Sequence, residues 1–235
     1  MHLMPMNAEL DIFGNDFGAD EYMENMNGTI KYFGHIPAIP KREMVLSRLG
    51  YRRETTMLEP GDLSLIEEGM SLGASLCKPA GAYLFTRITS LDNENVLLDN
   101  GITFQSQSLA KLLKDSQFVL LMASTVGKDV TDRIAFEVGK GDAAKGLILD
   151  SVASQTADAA LDWVMKFVDK ILAREGRRLT KHRYSPGFGD LQLANQKDIF
   201  YALQLDRLNM ALTEKFMLVP EKSVLAIAGV EEKRS

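Results

Sequence analysis

The chain has 235 residues, of which 46% are apolar and 25% charged, with a formal net charge of −5 at pH 7. This composition is that of an ordinary globular protein, and its acidic balance argues against a nucleic-acid partner, because such proteins concentrate Lys and Arg. No apolar run approaches the ~20 residues that a membrane span requires, and the single cysteine, Cys77, excludes an intramolecular disulfide and a thiolate-rich metal site.

The first 30 residues differ in composition from the rest of the chain. They contain six acidic residues and no Lys or Arg. This segment lacks the basic start of a secretory signal, so we expect a cytoplasmic protein. We predict that residues 1–30 form a peripheral acidic arm, with a docking role as the alternative, and that residues 31–235 form one compact domain.

Turn residues and hydrophobic spacing predict alternating helices and strands over the first half of the domain. Gly50 ends a short helix, and Pro60 begins a longer helix that runs towards Cys77. Asn100-Gly101 is the strongest short signal for a β-hairpin. The predicted elements are helices at 41–49, 60–77 and 108–114, and strands at 82–90, 95–99, 102–106 and 118–123.

The second half is dominated by a long predicted helix at 142–175, which follows a helix at 128–138. Further predicted elements are a helix at 196–205 and two late strands, 216–219 and 223–230, which Pro220 separates. No repeat and no long linker interrupts the pattern, so we predict a single α+β domain. The stripe that the long helix turns towards the core comprises Leu149, Ala153, Ala157, Ala160, Val164, Phe167, Val168 and Ile171.

The loop after the long helix carries the pattern RYSPGFGD at 183–190. Arg183 offers a planar fork of donors that matches a carboxylate or a phosphate. Gly187 and Gly189 lack the Cβ atoms that would keep a ligand from the backbone amides, and Phe188 between them can cover a flat ring. The pattern indicates a pocket for a small zwitterionic or anionic molecule with a planar ring. A Pro-Gly turn beside a surface arginine is the alternative.

Other candidate constellations do not support acid–base or metal chemistry. His2, His35 and His182 are scattered, and no two have the i, i+4 spacing of a helical metal pair. The glycine-rich segment 139–146 fails the spacing of a phosphate-binding loop and places Asp142 where a helix N-cap is expected. The basic residues of 174–183 are either a solvated helix end or a docking surface for an acidic partner.

Two motifs together carry a family resemblance. The first is RYSPGFGD with Gln196, and the second is Leu212–Val224, which contains a P-x-K-S pattern at Pro220–Ser223. They resemble the activation domain of cobalamin-dependent methionine synthase, in the form that is a separate polypeptide. The resemblance covers roughly residues 40 to 229 and leaves the acidic arm outside.

This resemblance implies a fold and a function. The fold is a twisted antiparallel sheet flanked by helices. The function is to bind S-adenosylmethionine and to re-methylate cobalamin that has reached the inactive cob(II) state. The cobalamin is carried by the cobalamin-binding module of a separate methionine synthase, and an electron donor such as flavodoxin or ferredoxin supplies the reducing equivalent. Methyl transfer of this kind depends on alignment of two centres and needs no general acid or base.

The resemblance also implies roles for individual residues. Arg183 pairs with the carboxylate of the methionine moiety. The loop residues Ser185, Pro186, Gly187 and Phe188 meet the adenine through their backbone, and the ring of Phe188 lies against the ligand. The family more commonly has Tyr at this last position, so any hydrogen bond of that hydroxyl is lost here.

Asp158, on the long helix, matches a position where the family usually has Glu. Its carboxylate is expected to accept from the ribose hydroxyls or the α-amino group, and a solvated helix carboxylate is the alternative. Asp190 and Gln196 are expected to tie the loop to the helix that follows it. Lys222 and Ser223 are expected to be structural.

Two other functions stay open at this stage. The chain can serve another corrinoid protein or only sense S-adenosylmethionine, which the departures at Phe188 and Asp158 allow. It can also be an ordinary methyltransferase for a small substrate. The sequence argues against this last reading, because it has no glycine-rich turn from a strand to a helix followed by an acidic residue after the next strand.

Overall fold

A computed structural model describes residues 19–52, 56–57 and 59–233. It confirms the predicted class, since helices flank an antiparallel sheet. The helices are α1 (Ala19–Met26), α2 (Arg42–Arg48), α3 (Pro60–Leu76), α4 (Gln107–Leu113), α5 (Lys128–Gly139), α6 (Ala143–Arg174) and α7 (Gln196–Ala202). The strands are β1 (Ile30–Phe33), β2 (Ala80–Leu91), β3 (Asn95–Leu98), β4 (Thr103–Gln105), β5 (Phe118–Thr125), β6 (Arg177–Leu179), β7 (Ala211–Leu212), β8 (Leu218–Val219) and β9 (Ser223–Glu232).

The main sheet has the strand order β4-β3-β2-β5-β9-β6, and every neighbouring pair is antiparallel. The long strand β2 pairs with β5 along one edge. Its other edge is shared, because β1 pairs with residues 81–84 and β3 with residues 88–91. Strands β7 and β8 form a separate two-stranded ribbon. Strands β5 and β9 therefore join the hairpin side of the sheet to the side that carries β6.

Both faces of the sheet are covered by apolar packing. All eight residues of β5 are buried, which is expected of a strand with a core on each side. Val119, Leu121 and Ala123 point to the face that α4 and α7 cover. The alternate residues Leu120 and Met122 point to the face that α6 covers.

Helix α6 has 32 residues, which corresponds to a length of about 48 Å. Its C-terminal half packs on the sheet through Ala160, Val164 and Val168. Its N-terminal half packs against α2, α3 and α5 instead. A single helix thus links the sheet to a group of three helices.

Most predicted elements are found, and the differences have local causes. The helix predicted at 196–205 ends at Ala202, because Gln204 adopts a left-handed φ of 47° and a 3-10 turn follows. The strand predicted at 216–219 is reduced to two residues, because Phe216 has a φ of 61° in a turn. Phe167, predicted to be buried, is 37% exposed and stacks on Trp163.

Residues 1–18 of the predicted acidic arm lie outside the described residues. The part of the arm that is described packs on the domain. Met23 of α1 is fully buried, Glu24 forms an ion pair with Arg87, and Ile30 begins β1. Across the described ranges, no helix combines the length and the apolar character that crossing a bilayer demands.

Candidate functional site

The segment after β6 runs along the free edge of β9. The Thr180 N–H donates to the Gly229 carbonyl at 2.9 Å. Four residues later, Tyr184 and Ile227 exchange two backbone hydrogen bonds of 2.8 Å each. The pairing fixes the backbone on both sides of Arg183. The backbone position at the start of the motif is therefore set by strand-like hydrogen bonds to β9.

Arg183 reaches from this edge to the side of α6. Its Nη1 donates to Asp162, and its Nη2 lies 3.4 Å from Oδ1 of Asp158. The Sδ atom of Met165 is 3.7 Å from Nη1. These three helix residues are spaced i, i+4 and i+7, which places them on one face. The Arg183 side chain is 23% exposed, whereas the two carboxylates are about half exposed, at 49% and 53%.

Sequence reasoning predicted Arg183 and Asp158 as site residues, and the structure brings them together. Sequence reasoning did not identify Asp162. The available signal was the i, i+4 spacing from Asp158, which puts a second carboxylate on the same helix face. One cation between two carboxylates can bind a zwitterion, because the guanidinium attracts a carboxylate while the aspartates attract an ammonium group.

Two backbone amides of the loop form hydrogen bonds within the loop. The Gly187 N–H donates to the Leu191 carbonyl at 2.8 Å, and the Phe188 N–H donates to the Ser185 carbonyl at 3.2 Å. Both glycines have positive φ, 92° at Gly187 and 53° at Gly189. The turn already uses the amides of Gly187 and Phe188, and the expectation that these glycines open backbone groups to a ligand stays a prediction.

The remaining loop residues divide between the interior and the surface. Pro186 is buried, and Ser185 is half-buried. Phe188 is 69% exposed, so its ring stands on the surface beside the turn. An exposed aromatic ring held by a fixed backbone is available to stack on a planar group. The roles predicted for Ser185–Phe188 at a ligand remain predictions.

Asp190 anchors the loop, though not to the helix that follows it. Its carboxylate accepts from the Ser106 hydroxyl at 2.6 Å and from the Ser108 N–H at 3.1 Å. Ser106 is the N-cap of α4, which precedes the motif by more than 70 residues, so the predicted tie is wrong in its partner. The hydroxyl of Tyr184 lies 3.4 Å from the same carboxylate. The hydrogen bond from Ser106 is the largest cause that lowers the pKa of Asp190 well below its usual value.

Gln196 was expected, together with Asp190, to tie the loop to the helix that follows it. It is the first residue of α7. Its side-chain oxygen is buried and has no hydrogen-bond partner among the described residues. A buried acceptor without a partner is costly unless something outside the described atoms satisfies it. The expectation that Gln196 ties the loop to α7 therefore rests on its position at the start of the helix alone.

The P-x-K-S residues join β9 to the rest of the domain. The Val219–Pro220 peptide is cis. The Ser223 hydroxyl donates to the Pro220 carbonyl at 2.8 Å and lies 2.9 Å from the Thr125 hydroxyl of β5. Lys222 Nζ forms an ion pair with Asp150 of α6 at 2.5 Å. These contacts fit the structural role expected for Lys222 and Ser223.

Metal ligands and the single cysteine are the remaining candidate features of the sequence. No group of three or more His, Cys, Asp or Glu side chains there could hold a metal ion. Cys77 follows α3, and burial raises the pKa of its thiol to about 11, so it is not poised as a nucleophile. His2 lies outside the described residues.

A cavity of about 430 Å³ lies away from the Arg183 loop, where β6 pairs with the end of β9. Its walls bring cations and carboxylates together, and Arg178 is already paired with Glu231 at 3.0 Å. None of its lining residues belongs to the loop at 183–190. We assign the candidate site to the Arg183 region, because a cation and two carboxylates meet there and the same loop carries the exposed ring of Phe188. The cavity is lined by Asp115, Gln117, Arg177, Arg178, Val230, Glu231 and Glu232.

Comparison with known proteins shows the fold. No family model and no curated protein matches the chain. A solved structure, the crystal structure of the MetH reactivation domain bound to AdoHcy, is similar with a TM-score of 0.62. The similarity covers 89% of this chain and 80% of that one, at 12% sequence identity. The chain therefore has the fold of a reactivation domain, a mixed helix and antiparallel-sheet arrangement in one compact domain.

Proposed function

We propose that this chain binds S-adenosylmethionine and acts as the activation subunit of a cobalamin-dependent methionine synthase. The observation that carries the proposal is the position of Arg183, held at the edge of β9 and facing Asp158 across to α6. A domain of the same fold, the MetH reactivation domain, has been solved with AdoHcy bound. AdoHcy differs from S-adenosylmethionine by the methyl group on sulfur, so a site for one can accommodate the scaffold of the other.

The proposed roles follow from charge and exposure. Arg183 binds the carboxylate of the methionine moiety, because its fork makes two parallel hydrogen bonds to a planar anion. Asp158 accepts from the α-ammonium group or the ribose hydroxyls. The loop of Ser185–Phe188 frames the adenine, and the exposed ring of Phe188 covers it.

The chemistry requires a partner. The synthase would hold the corrinoid, and a donor such as flavodoxin or ferredoxin would supply the one electron that takes its cobalt from cob(II) to cob(I). The reduced cobalt would supply the electron pair of the new bond to the methyl group, while the sulfur keeps the electrons of the broken bond and AdoHcy is the product. The task of this chain is to hold the sulfonium in line with the metal.

Calorimetric titration with S-adenosylmethionine tests the binding step. We expect the wild-type chain to bind and Arg183→Ala to lose about 1.5–3 kcal/mol of binding free energy, the magnitude for hydrogen bonds to a charged group. Arg178→Ala is the matched control, because Arg178 forms an ion pair with Glu231 on β9 and lies outside the motif at 183–190. The binding proposal fails if the wild type does not bind or if Arg183→Ala binds as well as Arg178→Ala.

A second experiment tests the partner. Cobalamin-dependent synthase that has been oxidised to the cob(II) state is incubated with a reducing system and S-adenosylmethionine, with and without the chain. We expect recovery of methionine synthesis only when the chain is present. If the chain binds the ligand but recovers no synthase, and instead captures a different corrinoid protein, the binding proposal stands and the assignment to methionine synthase falls.

A further inference from the structure

The ligand-free arginine at the candidate site is not a bare cation. Asp162 accepts from Nη1 of Arg183, and Asp158 lies 3.4 Å from Nη2, so both ends of the fork face carboxylates. A further neighbour is the neutral thioether of Met165, 3.7 Å from Nη1. Arg183, Asp158 and Asp162 together therefore carry a formal charge of −1 before any ligand binds.

A ligand carboxylate that binds the fork through Nη1 and Nη2 takes the place of an aspartate on the guanidinium. The displaced aspartate stays on α6, one turn from the other, so the exchange adds a negative charge to a site that is already negative. A ligand with a carboxylate alone would leave a net charge of −2 around Arg183. Binding is favourable only if the ligand brings positive charge with its carboxylate, because like charges at this separation repel.

The charge balance separates two ligands that share one scaffold. A sulfonium amino acid has one negative and two positive groups, so its complex with the three residues is neutral. The corresponding thioether has lost the sulfonium charge, so its complex keeps a charge of −1. The aspartates are about half exposed, so solvent reduces this difference without removing it.

Resting on the proposed function, we propose that Asp162 is a specificity residue of the site. It holds Arg183 in the free protein. Once the ligand carboxylate releases it, it becomes a counter-ion for the cationic part of the ligand. Asp162 thereby favours the charged methyl donor over the neutral product, which helps the product to leave after transfer. Asp158 remains with the α-ammonium group or the ribose.

Asp162→Asn tests this inference, because it removes the charge and preserves the shape of a half-exposed side chain. Loss of the counter-ion weakens binding of S-adenosylmethionine. Loss of the competing carboxylate frees Arg183 and strengthens or preserves binding of S-adenosylhomocysteine. The loss of the competing carboxylate acts on the carboxylate of either ligand and cancels in their ratio. The loss of the counter-ion alone therefore lowers the preference, defined as the ratio of the thioether Kd to the sulfonium Kd, by about two- to fivefold.

Both Kd values are measured by calorimetry for wild type, Asp162→Asn and the control Asp132→Asn. The control removes an equivalent charge from the exposed Lys128–Asp132 pair on α5, and we expect it to leave the ratio unchanged. If both ligands bind and Asp162→Asn keeps the wild-type ratio, or weakens both ligands equally, the inference is overturned and the proposed function stands. If the wild type binds neither ligand, both are overturned.

Discussion

Tyr184 and Gly189 share one space inside the loop. A Cβ atom on Gly189 would lie 2.1 Å from the Tyr184 hydroxyl and 3.4 Å from its ring carbon Cζ. A Cβ at this position would therefore push the Tyr184 hydroxyl aside, and the φ of 53° favours glycine independently. This pairing makes the loop a packed object whose shape depends on its own residues.

The pairing predicts a coupled effect of two substitutions. Gly189→Ala should reduce the free energy of unfolding by about 2–3 kcal/mol, through the left-handed backbone and the clash together. In a Tyr184→Phe background the hydroxyl is gone, so the same change should cost about 1 kcal/mol less. Urea unfolding of the four proteins measures this coupling. Additive costs would contradict the proposed contact.

The anchor at Asp190 predicts a pH dependence. The pKa of this carboxyl is lowered in the folded protein, so its ionised form stabilises the fold at neutral pH. The stabilisation is present above the ordinary aspartate pKa and is lost as the pH falls towards the lowered folded-state value. In urea unfolding at pH 7, 5 and 3, the stability difference between wild type and Asp190→Asn should therefore be similar at pH 7 and 5 and smaller at pH 3.

Ser106→Ala provides the matched comparison for that prediction. It removes the hydroxyl that is the main cause of the lowered pKa, so its own loss of stability should also shrink at low pH. A part of its cost, about 1 kcal/mol, should persist at every pH, because Ser106 also caps α4. A pH-independent difference in both variants would show that the anchor is not electrostatic.

Sequence reasoning located the candidate site only in part. Arg183 was predicted because its motif carries a local signal, and Asp158 was predicted from the family resemblance, as a match to a position on the long helix. The partners Ser106 and Asp162 were missed. Ser106 meets the loop only after residues 84 positions apart come together, and such non-local contacts leave no periodic pattern.

Helices α3 and α6 approach closely through two glycines. A Cβ on Gly69 would lie 2.5 Å from Ile148 Cγ2, and one on Gly73 would lie 2.8 Å from Val152 Cγ1. Both pairs follow the i, i+4 rows of their helices, so the side chains of α6 enter the space that the glycines leave. The glycines weaken α3 as an isolated helix and strengthen its packing on α6.

This arrangement predicts that a better helix former will destabilise the protein. Gly73→Ala should lower the free energy of unfolding by about 1–2 kcal/mol, because the overpacking cost exceeds the gain in helix propensity. Adding Val152→Ala should make the cost of the glycine change vanish or reverse. Gly61→Ala, at the open start of α3, is the control and should not destabilise. Equal effects at both glycines would contradict close packing as the cause.

Element prediction succeeded where the pattern was long and failed where pairing decides. The 17-residue α3 and the 32-residue α6 were predicted from their apolar spacing and from Pro60 and Asp142 at their starts. Asp142 accepts from the Lys145 N–H at 3.0 Å, as an N-cap should. Strand β6 has only three residues and forms by pairing with the edge of β9. The residues of β6 alone carry no pattern that predicts this pairing.

At the scale of the whole molecule, α6 connects two packing regions. Its C-terminal half belongs to the core under the sheet, and its N-terminal half belongs to the packing with α2, α3 and α5. A break between the halves should therefore affect both regions at once. Trp163, the single tryptophan of the chain, lies in the C-terminal half and reports on the sheet side.

Gln155→Pro tests this coupling. Proline in a helix interior removes a hydrogen bond and clashes with the preceding turn, so we expect a loss of at least about 3 kcal/mol in the free energy of unfolding. Unfolding followed by tryptophan fluorescence and by far-ultraviolet circular dichroism should shift together, with Gln155→Ala as the control. If the tryptophan transition stayed at the wild-type midpoint while the helical signal fell earlier, the two regions would be independent.

The length of α6 also has a consequence for how the chain can change. Lys222 meets the helix at Asp150, and Arg183 meets it at Asp158 and Asp162. Deleting one residue between these contacts would rotate one against the other by about 100° and shorten the rod by 1.5 Å. Single insertions and deletions should thus be excluded from residues 151–157, whereas point changes on the exposed side are tolerated. The length of α6 between Asp150 and Asp162 therefore sets the distance between the two motifs, in steps of one residue.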